Sequence, residues 1–291
     1  MVQNINRLDK ILEQAWNVRQ AFFPDLIEFT IPGKTLAVSV TGSRCALNCA
    51  HCGGQYLKKM VPLEEIMGKK YNNESSYLVS GGSDKNGKVP LFDKWDQLEK
   101  LADRGSLNLH TGLVNEAEAK KLSKIARVIS FDFVGDNETI AKVYGLSATV
   151  DDYLSSYRHL LKYNSVIPHI CVGLDSGRIN SEYRALELLR NEAVEAICMI
   201  IFRPTEGTEF SAAEPPSPEE VARFIATARL MFPRTPLYLG CMRPGGSYRE
   251  KVDQYAVKAG VNKIVLPGPE TRRLAVNLGL SIKVSEECCS L

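Results

Sequence analysis

Short apolar runs of four to eight residues alternate with segments of helical period along almost the whole chain, and no other feature restricts its folding so strongly. Such alternation is the pattern of repeated βα units around a parallel sheet. Eight strands are expected, at 35–40, 76–79, 107–110, 128–133, 166–172, 196–202, 236–239 and 263–266. Helical patterns lie between them at 92–102, 116–126, 151–163, 181–190, 218–231 and 248–259. The run Ser217-Pro218-Glu219-Glu220 marks one helix start clearly, with a serine cap, a proline at the first helical position and acids in the first turn.

Eight such units suit a single-domain α/β fold, a (β/α)8 TIM-type barrel, and the 291 residues are enough for one. An open doubly wound sheet is the competing architecture. No GxGxxG and no GxxxxGK[ST] follows a strand to separate the two. The boundaries expected are an N-terminal helical extension at 1–30, the barrel at 31–267, and a last helix with a C-terminal tail closing the barrel at 268–291. With 36 basic against 34 acidic residues and no run of five like charges, no nucleic-acid partner is expected. No window approaches 18 apolar residues and the first segment is charged and amphipathic, so the expectation is a cytoplasmic protein with no membrane partner.

The eight cysteines are uneven: Cys45, Cys49 and Cys52 crowd together, Cys171 and Cys198 stand alone, and Cys241, Cys288 and Cys289 come late. That distribution suggests sites rather than a disulfide framework. The first three sit at i, i+4 and i+7 in a loop directly after the first barrel strand, where barrel chemistry resides. A structural zinc site wants four ligands, commonly as two separated pairs, whereas a four-iron cluster accepts ligands from one looping segment. Three thiolates leave one iron open.

A CxxxCxxC in the first βα loop of a βα-barrel chain resembles the radical SAM superfamily. The resemblance implies a [4Fe-4S] cluster on Cys45, Cys49 and Cys52, with S-adenosyl-L-methionine on its open iron and a 5′-deoxyadenosyl radical as the product of reductive cleavage. It further implies that Ser80, Gly81 and Gly82 seat the methionine end, that Asp132 accepts from the ribose, and that Gly207 and Thr208 border the nucleoside. His51 precedes the third cysteine, where the family usually has an aromatic residue beside the adenine. Asp136 resembles a second ribose acceptor and equally a helix cap. Asp175, Arg203, Glu206 and Arg243 are charged groups at the barrel mouth.

Within the superfamily the chain is similar to the biotin synthase, lipoyl synthase and methylornithine synthase group. Cys171 matches one position of the biotin synthase auxiliary cluster, but strands two and three lack the cysteines the others need. Cys171 and Cys198 read as small buried residues. The late GCMRPG segment and the terminal Glu-Cys-Cys most resemble a subunit of the archaeal-type two-protein lipoyl synthase. That resemblance implies an auxiliary [4Fe-4S] cluster on Cys241, Cys288 and Cys289 that donates sulfur to a protein-bound octanoyl chain. It also implies an octanoylated lipoyl-carrier protein as substrate, a second radical SAM subunit, and an electron donor such as ferredoxin or flavodoxin. The alternatives are a biotin synthase-like or methylornithine synthase-like enzyme acting on a small molecule, and a non-catalytic zinc-binding barrel.

Overall fold

The computed structural model describes residues 2–68 and 74–291. Helix α1 (Val2–Phe22) precedes β1 (Leu26–Thr30) and β2 (Thr35–Ser39), after which come β3 (Val61–Pro62), α2 (Leu63–Gly68) and β4 (Ser76–Ser80). The units α3 (Trp95–Ala102), β5 (Ser106–His110), α4 (Glu116–Leu122) and β6 (Ala126–Asp132) follow, then α5 (Asn137–Thr139), α6 (Val150–Leu161), β7 (Val166–Val172) and α7 (Ser181–Leu189). The chain ends with β8 (Ile197–Ile201), α8 (Pro218–Met231), β9 (Leu237–Leu239), α9 (Gly246–Lys258), β10 (Lys263–Val265), α10 (Pro269–Asn277) and β11 (Ser281–Ser285).

All eight expected strands are present within a residue or two. Their ladders are parallel throughout, in the order β11-β1-β10-β9-β8-β7-β6-β5-β4-β2-β3. Successive βα units curl this α/β sheet into the barrel form, with helices outside and one continuous apolar core between the layers. The serine-capped helix is α8: Ser217 accepts from the Glu220 N–H while Glu220 reaches back to Ser217, and Pro218 occupies its first turn.

The expected boundaries change at both ends. Residues 1–30 are not wholly helical, since β1 joins the sheet between β10 and β11; 268–291 contains a strand, β11, as well as a helix. The hydrogen-bonded sheet stays open, its outer strands being β11 and β3. The segment after β11 spans the gap. Ile31 N–H donates to Ser285 O and Lys34 N–H to Glu286 O, both at 2.9 Å. The Cys288 N–H then donates to Thr35 Oγ1 at 2.8 Å, and Ser75 Oγ to Glu287 Oε1 at 2.6 Å. From there the tail turns inward among the barrel strands.

Arg243 is not at the mouth in any chemical sense: its side chain is fully buried. Its Nε donates to Asp253 Oδ1 at 2.7 Å and its Nη2 to Asp253 Oδ2 at 3.0 Å, while the other donors meet Gly240 O and Val265 O. The guanidinium therefore ties β9, α9 and β10 together, with four of its five N–H donors engaged inside the protein. Replacing it by methionine would strand a buried carboxylate. Arg243→Met should lower unfolding free energy by about 3–5 kcal/mol in denaturant titration; a loss under about 1 kcal/mol would contradict this role.

Candidate active site

The Cys45–Cys52 loop is clasped from three sides. The Gly82 backbone passes so close that an added Cβ would lie 2.1 Å from Arg44 O and 2.5 Å from the Cys45 Cα, so only glycine fits. Ala46 N–H donates to Ser83 O at 2.9 Å, and Gly82 N–H to Thr41 Oγ1 at 2.7 Å. From the β6 side, Ala50 N–H donates to Val143 O at 2.8 Å. From the loop after β8, Phe210 N–H donates to Ala50 O at 3.0 Å, and Thr205 Oγ1 meets Tyr56 Oη at 2.7 Å. Gly207 and Thr208 pack against this same loop, with Thr208 Cγ2 and Gly207 O next to the α-carbon of Gly53.

The three thiols are free. Cys52 is stabilised as a thiolate, pushed down to about 4, chiefly by the hydrogen bond from Cys49, against desolvation and with help from His51. That same hydrogen bond, together with burial, pushes the Cys49 thiol up. A loop that gathers three free, soft sulfur donors fits an iron–sulfur cluster by its donor chemistry. Cys45, Cys49 and Cys52 would be its ligands.

Below the loop lie two adjoining cavities that share His110, Asp132 and Tyr144. One, of about 130 Å³, is lined by Ser80, Gly81 and Leu47; the other, of about 200 Å³, by His51, Tyr56, His169, Cys171 and Arg203. The structure brings Ser80, Gly81 and Asp132 to one space. Asp132 Oδ2 is 3.8 Å from His110 Nδ1. Although desolvation opposes its charge, the neighbouring His110 imidazole holds its carboxyl below the usual range. Desolvation also pushes the Cys171 thiol well up, so it is an apolar wall residue at neutral pH.

Other expected residues are placed elsewhere. Asp136 caps α5, accepting from the Thr139 N–H at 2.7 Å and its hydroxyl at 2.9 Å, the helix-cap reading of this residue. Asp175 is paired with Lys142 at 2.6 Å and Arg178 at 2.8 Å. Glu206 is exposed, and Arg203 reaches the larger cavity.

Of the late cysteines, Cys288 and Cys289 lie together inside the barrel. Asn108 Nδ2 on β5 donates to Cys288 Sγ at 3.0 Å, and Ser130 Oγ on β6 meets Ser290 Oγ at 3.0 Å. Cys241 follows β9 at an exposed position, its thiol raised chiefly by desolvation. Sequence reasoning placed Cys198 in the core and gave His169 no role. Both touch the tail: Cys289 Sγ lies 3.8 Å from Cys198 Sγ and 3.8 Å from His169 Nε2. Only the strand register could have revealed this, since His169 and Cys198 are paired neighbours on β7 and β8.

The chain is similar to several known proteins. Residues 198–271 match the Biotin and Thiamin Synthesis associated domain. The biotin synthase of Buchnera aphidicola subsp. Schizaphis graminum is 26% identical over 276 residues, covering 88% of this chain and 77% of that protein. The biotin synthase of Halorhodospira halophila is 27% identical over 291 residues, covering 89% and 87%. Among solved structures, methylornithine synthase superposes with a TM-score of 0.67 at 16% identity over 95% of this chain and 89% of that one. HydG, a maturase of the [FeFe]-hydrogenase, gives 0.68 at 17% identity over 95% and 68%. In sequence the chain is similar to biotin synthases, and in fold to methylornithine synthase and HydG.

Proposed function

We propose that this chain is a radical SAM enzyme that inserts sulfur at an unactivated carbon of an octanoyl chain carried on a lipoyl-carrier protein, working with a second radical SAM subunit and an external electron donor such as ferredoxin or flavodoxin. The observation that carries the reading is the larger cavity. It is bounded on one side by His51 of the three-cysteine loop and on another by His169, which touches Cys289 of the tail.

When bound to Cys45, Cys49 and Cys52, a [4Fe-4S] cluster with SAM supplies one-electron chemistry that no side chain can. The chain's own contribution is placement. Ser80, Gly81 and Gly82 form the ledge for the methionine end; Asp132, oriented by His110, accepts from the ribose; Gly207 and Thr208 close the nucleoside side. Phe133, Val134, Leu174, Ile201 and Phe202 give the cavity apolar walls that exclude water and competing hydrogen donors. Cys241, Cys288 and Cys289 are assigned to an auxiliary iron–sulfur centre that donates sulfur from the far side of the same space.

A second reading, a biotin synthase-like enzyme acting on a free small molecule, is favoured by the sequence relatives. The test is anaerobic incubation of reduced protein with SAM and octanoylated carrier, with and without the partner subunit, followed by mass spectrometry. A thiolated carrier with octanoyl-dependent deoxyadenosine is the expected result. Its absence even with the partner present, with turnover of a small-molecule precursor instead, would favour the second reading.

Two sets of variants sharpen this. Cys45→Ala should abolish deoxyadenosine formation, whereas Cys288→Ala and Cys289→Ala should keep it and lose the thiolated product; loss of both activities in the tail variants would contradict the division of labour. Gly82→Ala should push the cysteine loop away, lowering both iron content and SAM cleavage at least roughly tenfold in a protein that still melts cooperatively. Unchanged iron content would show that the close approach is not required.

A further inference from the structure

One cluster of ligating side chains lies apart from the cysteine loop. His169 Nε2, Cys198 Sγ and Cys289 Sγ all lie within 4.8 Å of one another and are buried in the barrel. Cys289 is 3.8 Å from each of the other two. In a tetrahedral ion site with metal–sulfur bonds of about 2.3 Å and metal–nitrogen bonds of about 2.0 Å, ligand atoms stand roughly 3.3–3.8 Å apart, so little movement is needed.

Three further features look built for this purpose. His169 and Cys198 are register partners on adjacent parallel strands, which fixes two donors side by side. His169 Nδ1 faces Ile167 O at 3.1 Å; donating there leaves the Nε2 lone pair pointing at the thiols, the usual support for a metal-binding imidazole. The third donor comes from a tail that is held in place without it. Lys263 Nζ donates to Cys289 O at 3.3 Å and Leu291 O at 3.1 Å, Ser290 meets Ser130, and Cys288 is held by Thr35 and Asn108.

We propose that His169, Cys198 and Cys289 bind one soft divalent metal ion, zinc or ferrous iron, which fastens the tail to the inner face of β7 and β8. Two thiolates and an imidazole select such ions over magnesium or calcium. The proposal overlaps the preceding reading only in using Cys289. Binding of the ion needs neither SAM nor substrate.

The test uses the full chain with Cys45→Ser, Cys49→Ser and Cys52→Ser, which silences the loop. Anaerobic titration with Co²⁺, Zn²⁺ or Fe²⁺, without sulfide, should give about one tightly bound ion per chain, with thiolate-to-cobalt charge-transfer and tetrahedral d–d bands for Co²⁺. His169→Ala, Cys198→Ser or Cys289→Ser should each weaken binding at least roughly tenfold. In the otherwise unaltered protein, Zn²⁺ should protect Cys198 and Cys289 together from alkylation, read by peptide mass spectrometry, and His169→Ala should remove that protection. No stoichiometric ion, or binding and protection indifferent to His169 and Cys198, would overturn the proposal. Sulfur transfer enters none of these readouts. Its failure beside intact ion binding counts against the proposed reaction alone, and the converse counts against this site alone.

Discussion

Parallel strand pairing is the constraint from which the rest follows. Because every ladder runs the same way, every loop that follows a strand emerges on one face, and side chains from neighbouring strands meet in one interior. The cysteine loop, the glycine segment after β4 and the Gly207–Thr208 turn are far apart in sequence, yet they share that face. His110, Asp132 and His169, one on each of three successive strands, come to line the same cavity.

Close packing then decides how finely the loop is held. Gly82 lets two backbones approach within the radius of a methyl group, and hydrogen bonds from the β4, β6 and β8 sides fix the loop where its thiols are. The opposite end of the interior is closed by different means. An open sheet leaves a seam between its outer strands, and the segment after β11 fills it with backbone hydrogen bonds before turning inward. The result is a space with sulfur donors on two sides and apolar walls between them.

How much of this is legible in sequence depends on the kind of signal. The eight barrel strands are continuous apolar runs, so their period is plain. Strand β1 was hidden among the residues after a helix, and β11 has mostly exposed or half-exposed side chains, so neither shows the buried-run pattern. The cysteine loop was legible because its ligands are local in sequence. The pairing of Cys289 with Cys198 and His169 was not, because it depends on register and on the path of the tail. Arg243 misled because a charged residue at a strand end looks open to a ligand until its partner, Asp253, is visible, whereas for Asp136 the structure shows the helix cap, one of the two readings its sequence context allowed. Cys198 was rightly placed as buried, while burial alone gave no hint of its neighbours.

The central claim is that the three-cysteine loop holds a SAM-binding iron–sulfur cluster. Its most direct test is electron paramagnetic resonance of the anaerobically reconstituted, chemically reduced protein before and after addition of SAM. The account predicts a reduced-cluster signal that SAM perturbs and that disappears in a variant lacking Cys45, Cys49 and Cys52. A colourless protein carrying zinc on those cysteines, or a cluster signal that SAM leaves unchanged, would contradict it.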